Sequence, residues 1–282
     1  MPTQEDLSSE YLDYIIATKF NRYDQSVFSE LSLILNNCFV ASKINNLTVA
    51  HEYYTSSKDF IKNVSPSLSP WVESFLGQRV SYFYYKKGEF DKAISKSKEI
   101  AEASQKLFTE GYQFLFFSEI QQLYNCSRIY FSKNQYSDAI ELAICALERI
   151  ANQSNNWDRT SFIDNDLIKE NLLVSSAEFT MFNSIVLESL GRILTTFENN
   201  KPLVKYWVGH LIDHLWSYNA LLVETDDRFA TCYIFIGLLK KVLIDEVDEI
   251  SDSEASLIQS VHTDKRFLKI LFEAAKINRR DN

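Results

Sequence analysis

A six-residue pattern occurs three times in the first half of the chain: Asn45-Asn46-Leu47-Thr48-Val49-Ala50, Gly88-Glu89-Phe90-Asp91-Lys92-Ala93 and Asn134-Gln135-Tyr136-Ser137-Asp138-Ala139. Each copy opens on Gly or Asn, places a large apolar residue two positions on, and an alanine three positions after that. The alanines are 43 and 46 residues apart. Gly and Asn are the residues that enter the left-handed backbone region most cheaply, which is what the position closing a helix requires. After each opening residue the apolar positions take up helical spacing: Phe90, Ala93, Ile94, Ser97, Ile100 and Ala101 in the second copy, Tyr136, Ala139, Ile140, Ala143, Ala146, Leu147 and Ile150 in the third. Further helical stretches precede the turns, over 28–42, 71–86 and 114–132. The repeating unit is helix, tight turn, helix. Small residues on the second helix admit a close neighbour, and the large ring at its start plugs the corner between the two. One such unit cannot bury its own apolar face, so successive units must stack.

Composition agrees with helices. The 282 residues include only six glycines and four prolines, against 46% apolar and 14% aromatic residues. Phosphate-cradling loops, propellers and turn-rich sandwiches all need more glycine. The net charge of −9 and the lack of a basic cluster disfavour nucleic-acid backbones as partners. The first twenty residues carry Glu5, Asp6, Glu10 and Asp13 before the first base, Lys19, which is not the pattern of a secretory signal. The most apolar run, 233–244, is broken by Lys240 and Lys241 and falls short of the roughly 20 residues that span a bilayer. Cys38, Cys126, Cys145 and Cys232 form no C-x-x-C pair and sit among apolar neighbours, as small core residues of a reducing cytoplasm do.

The stretch from Tyr84 to Ile94, and that from Ser127 through Ala139 to Leu147, resemble the tetratricopeptide repeat family. The small residue (Ser81, Ser127), the aromatic (Tyr84, Tyr130), the turn and the first alanine fall in the family's register. The repeat is longer than the family's, which is about 34 residues. Gly77 and Leu123 stand where the family has tryptophan, and its terminal proline is missing. The resemblance covers about 28–150. It implies an all-α, right-handed α–α superhelix of antiparallel hairpins acting as a non-catalytic protein- or peptide-binding scaffold, without cofactor, in the cytoplasm. It also implies which residues line the concave groove: Asn36 and Phe39 in the first copy, Arg79, Tyr82 and Lys86 in the second, Tyr124, Asn125 and Arg128 in the third, and Glu188 and Arg192 in a degenerate fourth. Their chemistry suits an extended peptide: carboxamides pair with backbone, guanidinium with carboxylate, and tyrosine offers area at low entropic cost. Arg79, Lys86 and Arg128 within an acidic chain favour an acidic or C-terminal carboxylate ligand.

The sequence divides into about three hairpins over 1–151, a polar loop or insertion over 152–166, further hairpins over 167–244, and an acidic connector with a capping helix over 245–282. A long helical pattern covers 167–197, and Glu198-Asn199-Asn200-Lys201-Pro202 starts a new helix with proline in its first turn. The last helix presents Phe267, Ile270, Leu271, Ala274 and Ile277 on one face. Two further readings compete with the scaffold. Bacterial receptors for signalling peptides use comparable long-helix repeats, which makes a regulator acting through protein contacts the second reading. The third is a helical metalloenzyme centred on His210 and His214, one turn apart; the position after His210 is Leu211, not the glutamate of a metalloprotease helix. No nucleophile elbow, P-loop or dinucleotide fingerprint is present.

Overall fold

The computed structural model describes residues 4–154, 172–225, 229–244 and 265–279, and every regular element among them is helical. The helices are α1 Gln4–Lys19, α2 Arg22–Lys43, α3 Leu47–Ile61, α4 Ser69–Lys86, α5 Phe90–Thr109, α6 Phe116–Ser132, α7 Tyr136–Ser154, α8 Leu172–Thr196, α9 Lys201–Thr225, α10 Phe229–Leu243 and α11 Lys265–Arg279, with a 3-10 turn at Gln113–Leu115 before α6. The chain is all-α, and its consecutive helices pack against one another. The described helices belong to two compact units. The first takes α1 to α6 and the start of α7 as far as Ala139; the second takes the rest of α7, α8 from Glu178, and α9 to α11.

The three repeated turns are one structure built three times. Asn45, Gly88 and Asn134 have φ of 61°, 75° and 59°, the left-handed region the pattern predicts. At each, the following amide reaches five residues back: Asn46 N donates to Ala41 O at 2.9 Å, Glu89 N to Tyr84 O at 3.0 Å and Gln135 N to Tyr130 O at 3.0 Å. The left-handed residue's own amide reaches three back, Asn45 to Ser42, Gly88 to Tyr85 and Asn134 to Phe131. These paired bonds satisfy carbonyls that the ending helix would leave orphaned. The next helix starts at once, and its first helical bonds include those from Ala50 N to Asn46 O, Ala93 N to Glu89 O and Ala139 N to Gln135 O. A fourth turn of the same kind, at Gly111 (φ 102°), ends α5.

All three alanines, each in the first turn of the second helix of its hairpin, are fully buried. Twelve residues before each stands a small side chain, Cys38, Ser81 or Ser127. Ser81 Oγ donates to Ala93 O at 3.0 Å and Ser127 Oγ to Ala139 O at 2.6 Å, so the two equivalent contacts recur in the second and third hairpins. The corner rings also match: Tyr85 against Phe90 at 5.9 Å and Phe131 against Tyr136 at 6.2 Å. Gly77, standing in place of a large ring, lies against α5, where an added Cβ would come within 2.8 Å of Ile100 Cγ1. The long repeat is taken up by long helices, 18 residues in α4 and 20 in α5.

Sequence reasoning starts the first helix at Phe28, but α2 begins at Arg22, where Asn21 Oδ1 accepts from Asp24 N at 2.9 Å and caps it. It also misses α1. In the second unit the turn between α8 and α9 contains no left-handed residue, so this pair does not repeat the earlier turn. Asn200 instead caps α9, its Oδ1 accepting from Leu203 N at 3.2 Å, with Pro202 in the first turn as expected. Phe229 of α10 packs edge-on against Phe179 and Phe182 of α8 at 5.3 and 5.5 Å. On α11, Ile270, Leu271, Ala274 and Ile277 are buried while Phe272 is exposed. Most of the polar stretch 152–166 and the acidic connector after 244 lie outside the described residues, as does the placement of the Phe267 side chain.

Two substitutions test this register. Ala139→Leu places three extra carbons in a closed helix contact and should cost about 1–3 kcal/mol in urea denaturation; an unchanged midpoint would refute the contact. Gly88→Val faces open space, so its cost is backbone strain, about 1–2 kcal/mol. Gly88→Asn, which restores the residue of the first and third turns, should lose only a fraction of that.

Candidate functional site

Helix α4 has four sides with different neighbours. Towards the first hairpin it presents Phe83, which packs with Cys38, Ala41 and Ala50 and against Tyr54. Towards α5 it presents Ser81. Towards the third hairpin it presents Ser74 and Tyr85, whose hydroxyls meet Ser118 Oγ at 3.4 Å and Ser132 Oγ at 2.9 Å. The fourth side carries Phe75, Arg79, Tyr82 and Lys86, spaced at helical intervals and all partly exposed. The same side of α2 carries Asn36, Phe39 and Lys43, and that of α6 carries Gln121, Asn125 and Arg128.

Residues one repeat apart touch along this side. Arg79 Nε donates to Asn36 Oδ1 at 2.6 Å across a separation of 43 residues. Phe39 and Tyr82, separated by the same interval, meet edge to face with ring centroids 4.9 Å apart. Five of the sequence-predicted residues, Asn36, Phe39, Arg79, Tyr82 and Lys86, therefore fall on adjoining helices, α2 and α4, that are themselves in contact.

The polar groups on this side are held in place by their neighbours. Arg79 Nη1 also donates to the Phe75 carbonyl at 2.8 Å, and burial lowers the pKa of its guanidinium. The Lys43 ammonium stands 4.4 Å over the Phe39 ring. Burial, with Tyr85 nearby, raises the pKa of Tyr82, so at neutral pH its hydroxyl is a neutral donor and acceptor. Lys86 enters no ion pair with the described residues. On α6, Asn125 Oδ1 accepts from Gln121 Nε2 at 3.1 Å and Arg128 Nη1 at 3.3 Å, while Asn125 Nδ2 donates to Gln122 Oε1 at 3.2 Å.

Two predicted residues stand differently. Tyr124 is only 2% exposed, so it cannot offer open contact area to a peptide. Its position on α6 is turned further towards the interior, and it acts as the platform beneath Arg128, whose guanidinium carbon is 4.6 Å from the ring centroid. Arg192 belongs to the second unit, on α8, where Nε and Nη2 both donate to Glu188 Oε1, at 3.1 and 2.8 Å, one turn away on the same helix.

Sequence reasoning missed Lys43, Phe75 and Gln121, which the exposed side of the helices adds, although the 43-residue offset could have found Lys43 opposite Lys86. It also missed the aromatic cluster at the start of these helices, where Phe20 lies 6.3 Å from Trp71, Tyr112 4.7 Å from Trp71, and Tyr11 of α1 5.0 Å from Phe114. In the second unit His210 Nε2 and Glu141 Oε1 are 3.0 Å apart, and the His210 and His214 rings meet edge-on at 5.1 Å. No group of three or more His, Cys, Asp or Glu side chains placed to hold a metal occurs among the described residues. Cys38, Cys126 and Cys232 are buried and Cys145 is half-buried; burial pushes the Cys38 thiol up to about 11 and Cys232 up to about 12. No described helix is long and apolar enough to cross a membrane.

A double-mutant cycle on Asn36→Ala and Arg79→Ala should return a coupling energy of about 0.5–1.5 kcal/mol in urea denaturation. Additive losses would mean that the two hairpins are not joined at this point.

No protein-family model, curated protein or solved structure matches the chain.

Proposed function

We propose that the first unit is a non-catalytic peptide-binding module, its α2, α4 and α6 lining the groove of a tetratricopeptide-like right-handed stack in a cytoplasmic protein. The observation that carries this reading is the direct contact between residues one repeat apart, Asn36 with Arg79 and Phe39 with Tyr82, on the partly exposed side of α2 and α4. A row of side chains repeating at the spacing of stacked hairpins suits an extended chain, which meets equivalent groups as it passes each unit. Preorganisation supports it as well: Arg79 and Arg128 are held over carboxamides and rings, so less rotamer entropy remains to be lost on binding.

The ligand chemistry favoured is an acidic peptide or a free C-terminal carboxylate. Lys43, Arg79, Lys86 and Arg128 are the cations of this side, with Asn36 and Asn125 among them to pair with peptide backbone. Arg192 is left out of this groove because it lies in the other unit and is paired with Glu188.

A library of fluorescein-labelled acidic decapeptides with free C-termini, followed by fluorescence polarisation, tests the reading. Peptides that bind the wild type should bind Lys86→Glu plus Arg128→Glu at least about tenfold more weakly, a loss of about 1.4 kcal/mol. Raised salt should weaken the wild-type complex. Binding that survives the double charge reversal undiminished would remove this surface as the site.

A further inference from the structure

Two tyrosines meet where the first hairpin joins the second. Tyr54 of α3 and Tyr84 of α4, 30 residues apart in sequence, are linked hydroxyl to hydroxyl by a hydrogen bond, and their ring centroids lie 5.5 Å apart with the planes inclined at 70°. Neighbours hold both rings. Each packs against Phe83, Tyr54 at 5.0 Å and Tyr84 at 5.7 Å. The Lys58 ammonium stands 4.6 Å over the Tyr54 ring, and that of Lys92 5.7 Å over the Tyr84 ring. Neither tyrosine is fully buried, so an oxidant in solution can draw an electron from the pair. Tyr82 and Tyr85 also lie ring to ring, at 6.1 Å, but they are three residues apart on one helix, and the Tyr85 hydroxyl pairs with Ser132 Oγ. Tyr11 and Tyr124 are shielded in the interior. A phenol that loses an electron and its hydroxyl proton becomes a neutral radical, with its unpaired spin on the oxygen and on the ring carbons ortho and para to it. In tyrosine the para carbon carries the side-chain methylene, so two such radicals couple through ortho carbons. Each ortho carbon is bonded to the carbon that bears the hydroxyl, and a hydroxyl-to-hydroxyl contact therefore brings the ortho edges of the two rings together. The inclination of the planes suits the product, whose rings twist about the new bond.

We infer that Tyr54 and Tyr84 form an oxidative cross-linking site, which a one-electron oxidant of the haem-peroxidase class, supplied with hydrogen peroxide, converts to an intrachain dityrosine. Each tyrosine gives up one electron and one proton, and together these reduce one hydrogen peroxide to two waters. The two radicals pair their electrons in a new carbon–carbon bond between ortho carbons. The hydrogen on each of those carbons then leaves as a proton, and each ring oxygen takes one up from solvent, which restores both hydroxyls. The net loss from the chain is two hydrogen atoms. Because the rings already touch, the coupling is a step within one molecule rather than an encounter between two. Burial, with the hydrogen bond to Tyr54, raises the pKa of Tyr84, so the neutral phenol is the species oxidised and its proton leaves with the electron. The new bond fastens α3 to α4, and with them the first hairpin to the second. It uses none of Asn36, Phe39, Arg79 and Tyr82, so the inference does not rest on what the groove binds.

Treatment of the dilute full chain with a haem peroxidase and hydrogen peroxide tests this, with any linked dimers removed by gel filtration in denaturant before the monomer is measured. The monomer should show dityrosine fluorescence and an intact mass lower by two hydrogens, and after proteolysis the peptide holding Tyr54 should be joined to that holding Tyr84. Closing a loop of this length should also raise the melting temperature by a few degrees. Tyr54→Phe and Tyr84→Phe keep the ring and lose the hydroxyl; each should lower the monomer's dityrosine fluorescence at least about tenfold, since no other pair is held in this contact. Tyr23→Phe, at a position 63% exposed, should leave it unchanged. A wild-type monomer that yields no joined 54–84 peptide, dityrosine found only between chains, or a signal undiminished in Tyr54→Phe overturns the proposal.

Discussion

The left-handed residue that closes the first helix of each hairpin is the constraint on which the first unit depends. At Asn45, Gly88 and Asn134 the backbone turns through a conformation that most side chains disfavour, and two amides use the turn to satisfy the ending helix. The reversal takes so few residues that the second helix has to lie against the first near their shared end. A close approach there tolerates little more than a methyl group, which is why Ala50, Ala93 and Ala139 follow at a fixed distance and why Ser81 and Ser127 can reach the Ala93 and Ala139 carbonyls. Turn geometry, helix spacing and small-residue choice are one requirement seen at three levels.

From that requirement the division of labour around each first-of-hairpin helix follows. In α4 one side meets its own partner, one the hairpin before and one the hairpin after, and among the described residues the fourth is partly exposed. In α4 this fourth side holds Phe75, Arg79, Tyr82 and Lys86, and the polar groups on it are tied to one another rather than free. A stack of this kind produces a row of aligned, partly immobilised polar side chains as a by-product of burying everything else. Among the described residues, Leu33 and Val40 of α2 and Ile44 just after it are exposed.

The second unit is helical for other reasons. Its turn at Asn200 relies on a side-chain cap and Pro202 rather than on a left-handed residue, and its core is heavy in large apolar side chains such as Phe182, Leu190, Leu211, Ile236 and Leu239. Without the left-handed turn and the alanine after it, nothing forces the helix pair into the earlier register. His210 turns to Glu141 and Arg192 to Glu188, so these two residues are engaged in pairs within that unit.

The sequence by itself determined the helical class, the three left-handed turn positions, the buried alanines and the register that sets Asn36 beside Arg79 and Phe39 beside Tyr82. These are legible because each is a local demand on residue type: φ sign, side-chain size, and the 3.6-residue period. Only the tertiary structure decided which side of each helix is covered. The family resemblance makes Tyr124 a groove residue, and it is buried beneath Arg128, because a small rotation about the α6 axis separates the exposed side from the interior. Leu33 and Val40 are apolar and yet stand exposed, because burial belongs to the neighbour as much as to the residue. Helix α1 shows the same limit, since its stretch lacks the repeat's turn signal and Tyr11 finds its place against Phe114, about a hundred residues away, through a ring contact that no local pattern encodes.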